Sequence, residues 1–326
     1  MLEKTKPAAV WQGRLEQTGN YLLRYGVILV ALLLVLYNLW VTPNFASWNT
    51  LWNLITQSAV IAIISLGMTL VIATAGMDIA VGATMCTAAA VLAKLSVFGF
   101  PVAMLGCLLT GALLGVCNGF LIGRFRLQPI IVTLATMMLF RGLGQLVGES
   151  KKLAVSFDIF QSISYYKVGG VVPVQFFILL FVLLLMLFLM HKTLLGRYIE
   201  AIGGNRQAAI TAGVPVTLVL VAAYGICGLC CGLGGVLEAA RLGSVDVNNL
   251  GKLVEFDVVA AVAIGGTSLL GGKARLVNSV IGAFLMQLIT VTVNMNNIDY
   301  SYSLLIKTVV ILASVALAIV IKRKQE

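Results

Sequence analysis

The sequence predicts an all-α polytopic membrane protein with about ten transmembrane helices. Hydrophobic residues make up 60% of the 326 positions and charged residues only 10%, whereas a soluble domain of this length needs a far more polar surface. Inside lipid, every backbone polar group must be bonded within the protein, so only helices or a closed barrel fit. Continuous apolar runs such as 176–190 lack the alternation of barrel strands, which favours helices.

A window of about 20 residues identifies the predicted spans in chain order. They cover residues 24–41, 54–75, 79–97, 101–122, 130–148, 173–190, 216–239, 257–270, 276–295 and 302–321. The gap near Asp78 is narrow and the eighth segment is short, so nine and ten spans both fit the sequence. The predicted organisation is a cytoplasmic segment at 1–23, a transmembrane domain at 24–321 and a cytoplasmic tail at 322–326.

The distribution of basic residues predicts the orientation. With ten spans and the N-terminus inside, the outer connections 42–53 and 296–301 hold no lysine or arginine. The inner connections and the tail are basic, with Arg124, Arg126, Lys192, Arg197, Arg206, Lys273, Arg275 and 322–324. This positive-inside pattern places both termini in the cytoplasm, and it accounts for the net charge of +10 without nucleic acid. No cleavage site follows the first apolar run, so that run is predicted to be retained as a helix.

A weak internal repeat relates predicted helices 2–5 to helices 7–10. Asp78 opens a span in the first block and Asp257 opens one in the second, on opposite sides of the membrane. That relation is what an inverted repeat predicts, and such repeats place substrate pathways at their interface. Both aspartates are also compatible with plain N-caps of helices. Polar groups on otherwise apolar spans add Asn118 and Thr267 to the predicted pathway.

Glycines near the two aspartates predict helix breaks or hinges. The predicted positions are Gly76, Gly82, Gly265, Gly266, Gly271 and Gly272. Elsewhere the spacings of Gly111, Gly115 and Gly119, and of Gly228 and Gly232, predict close helix packing.

Signals for catalysis, metals and cofactors are absent from the sequence. Gly271-Gly272-Lys273 is not a phosphate loop, because Ala274 stands where a serine or threonine is required. The Cys227 and Cys230 spacing has no second pair or histidine nearby, so these cysteines are interpreted as packing residues. No nucleophile–base pair is recognisable. The chain is therefore predicted to be no enzyme and to hold no metal or cofactor.

A polar island at 196–213 interrupts the apolar sequence within the predicted cytoplasmic loop 191–215. A membrane protein with so little soluble surface offers few places for another protein to bind. This helix-compatible segment, which includes Arg197 and Gly213, is therefore a candidate handle for a partner.

Three motifs resemble those of ribose-type sugar permeases, the membrane subunits of bacterial ABC importers within the branched-chain-transport-like family. They are Ala75-Gly-Met-Asp-Ile-Ala-Val-Gly82, the segment 195–205 followed by Ala212-Gly-Val, and Glu255–Lys273. The similarity extends over nearly the whole chain. Met77, Ala80 and Ala75 depart from the usual isoleucine, serine and glycine. Locally, Asp246, Asn248 and Asn249 are more similar to the galactofuranose permease branch.

The resemblance implies a permease that moves a monosaccharide, a pentose or a furanose, across the bacterial inner membrane. It implies three partners besides the lipid bilayer, namely a cytoplasmic ATPase, an external sugar-binding protein and a second permease subunit, either identical or related. It assigns Glu200, Ala201, Gly203, Gly204 and Asn205 to the ATPase-docking segment. A self-sufficient secondary sugar carrier or facilitator is the alternative from another class.

Overall fold

The fold is a bundle of long apolar helices, as given by a computed structural model. The structure describes residues 30–155, 157, 159–160, 166–168, 172–299, 301–310 and 312. Within these residues, seven helices are long and apolar enough to cross a membrane. The predicted terminal segments 1–23 and 322–326 lie outside the described residues. The all-α polytopic membrane fold is confirmed, whereas the number of ten helices stays a prediction.

Twelve α-helices are described. They are α1 (Val30–Val41), α2 (Trp48–Ala73), α3 (Val81–Leu95, extended by a 3₁₀ turn at Ser96–Phe98), α4 (Phe100–Phe125), α5 (Pro129–Val147), α6 (Val174–Lys192), α7 (Leu194–Gly204), α8 (Arg206–Thr211), α9 (Val216–Leu242), α10 (Val254–Ile264), α11 (Leu276–Met295) and α12 (Ser301–Val310). Strand β1 (Lys152–Ala154) pairs antiparallel with β4 (Ser244–Asp246), and β2 (Lys167–Val168) pairs with β3 (Val172–Pro173).

Helices α2 and α9 form the centre of the bundle, and most of their residues are buried. Ser47 caps α2 by accepting a hydrogen bond from the N–H of Thr50 at 3.2 Å. Proline stands in the first turn of both α4 and α5, where its missing N–H costs nothing. The flanking helix α6 is apolar on nearly every side and mostly exposed, as expected for a helix that faces lipid.

Helices α4 and α9 pack backbone to backbone through the glycines that the sequence predicted for close packing. A Cβ added at Gly111 would collide with the carbonyl of Gly228, and one added at Gly228 would collide with that of Gly111. Gly115 lies in the same way against the carbonyl of Tyr224. In lipid, where the hydrophobic effect does not drive helices together, such close approach supplies the packing energy.

The bundle has two ends, named here by the elements that mark them. Helix α9 spans about 40 Å from its first to its last residue. Its N-terminal end follows α7 and α8 and defines the α7 face. Its C-terminal end leads into β4 and defines the sheet face.

Two breaks interrupt the helices inside the bundle. The first break, 74–80, leads from the end of α2 at the α7 face to the start of α3. The second break, 243–253, leads inward from the sheet face to the start of α10. The two breaks meet, because a Cβ added at Gly82 would collide with the carbonyl of Gly251. Helices α3 and α10 therefore run from this meeting point toward opposite faces, in agreement with the predicted inverted repeat.

The meeting point lies well inside the bundle. A Cβ at Gly235 of α9 would be 3.0 Å from the carbonyl oxygen of Met85, three residues beyond Gly82 in α3. From the helical rise, Gly82 and Gly251 are about 15 Å below the C-terminal end of α9. Helices α3 and α10 thus both begin within the membrane-spanning layer.

The structure corrects two predictions, one about the eighth span and one about the N-caps of both halves. The predicted eighth span, 257–270, is instead the 11-residue helix α10 followed by irregular chain, and at about 16 Å it is too short to cross the layer. The predicted N-caps are also wrong: Ala80 and Leu253 occupy these positions, without side-chain cap bonds. Asp78 lies before its helix, and Asp257 lies within the first turn of α10.

Candidate functional site

The first break holds two of the predicted pathway residues in contact. Asp78 is only 2% exposed, and its Oδ1 accepts hydrogen bonds from the N–H of Ala80 at 2.9 Å and from Nδ2 of Asn118 at 3.4 Å. Both donors are neutral. The Oδ1 atom of Asn118 is buried without a hydrogen-bond partner among the described residues. The structure therefore joins Asp78 to Asn118 in a polar contact inside the bundle.

Neighbouring helices hold the backbone around Asp78. The carbonyl of Met77 accepts hydrogen bonds from the hydroxyl of Tyr224 at 3.4 Å and from Oγ1 of Thr133 at 3.3 Å. Gly76 lies so close that an added Cβ would be 2.6 Å from the Tyr224 hydroxyl. Helices α4, α5 and α9 thus all contact the first break around Met77 and Asp78.

The other two predicted pathway residues lie elsewhere. Asp257 forms an ion pair with Lys307 of α12 at 2.8 Å, and the two side chains are only 18% and 6% exposed. The Oγ1 of Thr267 accepts the N–H of Arg275 at 3.1 Å, which closes the loop between α10 and α11. Neither residue contacts Asp78.

The sequence-based prediction omitted Lys307, and it gave no site role to Arg141 or Glu255, which lie near the meeting point. Lys307 stands inside the predicted span 302–321, and a charge within a span requires a partner, which was the available signal. Arg141 of α5 donates a short hydrogen bond to the carbonyl of Leu250 in the second break. Glu255 is buried beside Gly82, with its carboxylate 2.6 Å from the position of an added Cβ.

The predicted coupling segment folds into the two short helices α7 and α8. Thr193 begins α7 by accepting the N–H of Gly196 at 3.4 Å, and Asn205 begins α8 by accepting the N–H of Ala208 at 3.0 Å. Arg197, Ala201, Gly204, Asn205 and Gly213 are exposed. Within α7, Arg197, Ala201 and Gly204 are spaced by four and three residues, which places them on one helix face.

Glu200 and Gly203 are partly exposed and lie beside this face, where they form a three-way junction with the bundle: α7 contacts the end of α2 and the α10–α11 loop. Oε1 of Glu200 accepts the N–H of Ala274 at 3.2 Å. A Cβ at Gly203 would collide with the carbonyl of Ala73, whose oxygen also accepts the N–H of Gly272 at 3.0 Å. Of the predicted hinge glycines, Gly266, Gly271 and Gly272 have positive φ, and Gly265 packs against the backbone at Asn278.

Metal binding has no candidate cluster in the part of the chain that the structure describes. No group of three histidine, cysteine, aspartate or glutamate side chains is gathered there. All six cysteines are free thiols, and five of them are buried.

Broken helices meeting inside an inverted repeat, together with a short amphipathic helix pair at one face, define a multi-pass membrane permease. The chain belongs to the family described as branched-chain amino acid transport system / permease component, which matches residues 50–315. The resemblance inferred from the three motifs is thereby confirmed.

Curated relatives match the chain over most of its length. The ribose import permease protein RbsC of Escherichia coli (strain K12) is 35% identical over 311 residues, covering 93% of this chain and 96% of the relative. The RbsC of Bacillus subtilis (strain 168) is 36% identical over 314 residues, with 94% of each chain covered. The galactofuranose transporter permease protein YtfT of Escherichia coli (strain K12) is 36% identical over 299 residues, covering 87% of this chain and 86% of the relative. No solved structure matches the chain.

Proposed function

We propose that this chain is the membrane subunit of an ABC importer that moves a monosaccharide, a pentose or a furanose, across the bacterial inner membrane. The observation that carries the proposal is its family membership, with relatives named for ribose and galactofuranose along nearly the whole chain. Hydrolysis of ATP takes place on a separate cytoplasmic subunit. An external binding protein delivers the sugar, and a second permease subunit completes the pathway. Both termini and the α7 face lie in the cytoplasm.

The geometry of α7 supports a role in coupling. Its exposed face, with Arg197, Ala201 and Gly204, is free to receive the ATPase. Its inner face contacts the end of α2 and the α10–α11 loop through the three-way junction. A displacement of α7 therefore reaches α3 through Ala73 and the 74–80 break. It reaches α10 through Gly272 and the loop after α10.

Reconstitution tests the proposal directly. We expect proteoliposomes with the permease, its ATPase and its binding protein to accumulate a pentose or furanose only when ATP is supplied on the α7 side. Permease alone should catalyse no flux. Sugar flux through the permease alone would instead establish the secondary carrier, and absence of flux in the complete system would refute sugar import.

Gly204 offers a sharp test of docking, because an added Cβ there meets nothing within 4 Å inside this chain. We expect Gly204→Leu to leave thermal stability unchanged and to lower ATP-driven uptake by about tenfold, as a lost interface contact of about 1.4 kcal/mol would. Gly142→Leu is the matched control, since Gly142 also has open space around it but lies on α5. Equal uptake by the two variants would contradict docking at Gly204.

Substitutions of Glu200 test the contact of the same helix with the three-way junction. A bulky replacement such as Glu200→Trp removes the acceptor for the Ala274 N–H and should uncouple ATP hydrolysis from uptake while insertion is retained. Glu200→Gln keeps an acceptor oxygen and should retain most uptake. Wild-type coupling in Glu200→Trp would contradict the proposed role.

A further inference from the structure

The second break presents one polar face and one buried face. Successive turns join the N–H of Asn249 to the carbonyl of Asp246 at 3.1 Å and the N–H of Lys252 to that of Asn249 at 3.2 Å. Positions 246, 249 and 252 therefore lie on one side. On the other side Val247, Leu250 and Gly251 are buried against the bundle.

The side chains on the polar face are bonded in series. Nδ2 of Asn249 donates to Oδ2 of Asp246 at 2.7 Å, and Nζ of Lys252 donates to Oδ1 of Asn249 at 3.1 Å. These three residues are here called the polar ladder. The Asn249 amide and the N–H of Asn248 hold the pKa of Asp246 below its usual value of 3.8, so the ladder carries a carboxylate at neutral pH. Asn249 and Lys252 are exposed.

The ladder descends into the membrane-spanning layer. Asp246 belongs to β4 at the sheet face, whereas Lys252 adjoins Gly251, which lies about 15 Å below the end of α9. One turn further inward, Phe256 is 57% exposed. An exposed ammonium at this depth is costly against lipid, so such residues face water-filled cavities or partners.

We propose that the polar ladder and Phe256 line the water-filled part of the translocation pathway and contact the sugar as it passes. This assignment rests on the proposed sugar import. A sugar offers hydroxyl groups that both donate and accept hydrogen bonds, and the ladder offers a carboxylate, an amide and an ammonium. The exposed ring of Phe256 offers an apolar surface for the C–H face of the sugar ring, in the mixed apolar and polar pattern typical of ligand sites.

Thiol accessibility tests the water-filled wall independently of transport. The assembled transporter, in lipid nanodiscs, carries Cys117→Ala, since Cys117 alone of the six cysteines is exposed. Lys252→Cys should react with a charged methanethiosulfonate about tenfold faster than Leu184→Cys, because the reactive thiolate is disfavoured in apolar surroundings. Leu184 is the matched control on α6, where it is 57% exposed. Equally slow reaction of both positions would overturn the proposal.

Uptake measurements test the sugar contact itself. Asn249→Leu and Lys252→Met should each lower maximal uptake by about tenfold, the size of one hydrogen bond to a charged group, while ATP hydrolysis stimulated by the loaded binding protein continues. Lys252→Arg keeps the charge and should retain uptake, and continued ATP hydrolysis shows that each variant is folded and assembled. Where a leucine variant fails to assemble, Asn249→Ala replaces it. Wild-type uptake in both Asn249→Leu and Lys252→Met would overturn the contact.

A failure of the polar ladder proposal and a failure of the proposed sugar import give different results. A wild-type complex that accumulates sugar while Lys252→Cys reacts no faster than Leu184→Cys refutes only the polar ladder. A wild-type complex that moves no sugar refutes the import function, whatever the thiol reactivity.

Discussion

The two breaks of the repeat keep a carboxylate inside the membrane in different ways. In the first, Asp78 is only 2% exposed and accepts hydrogen bonds from neutral donors, the Ala80 N–H and the Asn118 amide. In the half-helix after the second, Asp257 faces the cation Lys307 at 2.8 Å. The polar side chain of the first break is buried against α4, whereas the second break exposes the polar side chains of Asn249 and Lys252. Each half therefore has a helix break, but the carboxylate is held by neutral donors in the first half and by a cation in the second.

The difference indicates a division of labour between the halves. The first break directly follows Ala73, which lies in the three-way junction with α7. A movement of α7 therefore acts on this break first. The exposed second break starts at the sheet face and is placed to meet a polar solute. Because Gly82 and Gly251 touch, movement in one break displaces the other.

Breaking the ion pair of the second half is expected to have the largest effect on stability. Asp257→Asn or Lys307→Met leaves one buried charge without its partner, and each should lower the free energy of unfolding by about 3–5 kcal/mol. The double variant removes both charges and should recover most of that loss. Thermal unfolding of the purified protein in detergent measures all three.

The exposed pair of Glu149 with Lys94 at the sheet face is the matched control. Their side chains are 58% and 40% exposed, and hydrogen bonds from Lys94 and Lys151 hold the pKa of Glu149 below its usual value of 4.5. Glu149→Gln should leave stability nearly unchanged, because exposed pairs contribute little. A double Asp257/Lys307 variant as unstable as the single ones would show that the pair does more than neutralise charge.

Removing the acid of the first half should have a smaller effect. Asp78→Ala leaves the N–H of Ala80 without its acceptor, at about 1–3 kcal/mol, and the bond from the Asn118 amide is too long at 3.4 Å to add much. Asp78→Asn keeps one acceptor oxygen and should be milder. Thermal stability and uptake, measured on the same preparations, give the comparison. Wild-type stability and uptake in Asp78→Ala would reduce this residue to an incidental part of the break.

The fold class and the place of the breaks could be predicted from sequence because both depend on local composition. Apolar length fixed six spans closely, as with 173–190 against Val174–Lys192. The Gly76–Gly82 and Gly265–Gly272 clusters marked where helices end, and polar residues on apolar spans singled out Asp78 and Asn118, although not the contact between them. Each of these signals requires only neighbours along the chain.

The second half was harder to predict, because its structure depends on contacts distant in sequence. An apolar run at 257–270 has the composition of a span, and only the contact of Gly251 with Gly82 shows that α10 starts inside the layer. Asp257 and Lys307 are 50 residues apart, so no local pattern pairs them. In the polar ladder, Asp246 and Asn249 were singled out only by a local resemblance, and Lys252 was overlooked because 240–256 resembles an ordinary outer loop by composition.

The contact between the two breaks gives the most discriminating effect, and Gly82→Ala is expected to be its mildest variant. Gly82→Ala brings a Cβ against the Gly251 carbonyl, at about 1–3 kcal/mol for overpacking, offset by up to about 1 kcal/mol because alanine favours helix α3. Gly251→Ala meets the Gly82 carbonyl and lacks that offset, and its φ of +73° adds backbone strain. We therefore expect Gly251→Ala to unfold at a lower temperature than Gly82→Ala. Gly142→Ala, which meets nothing within 4 Å, should not be destabilised. If Gly82→Ala and Gly251→Ala both match Gly142→Ala, the breaks do not touch, and movement cannot pass between them by this contact.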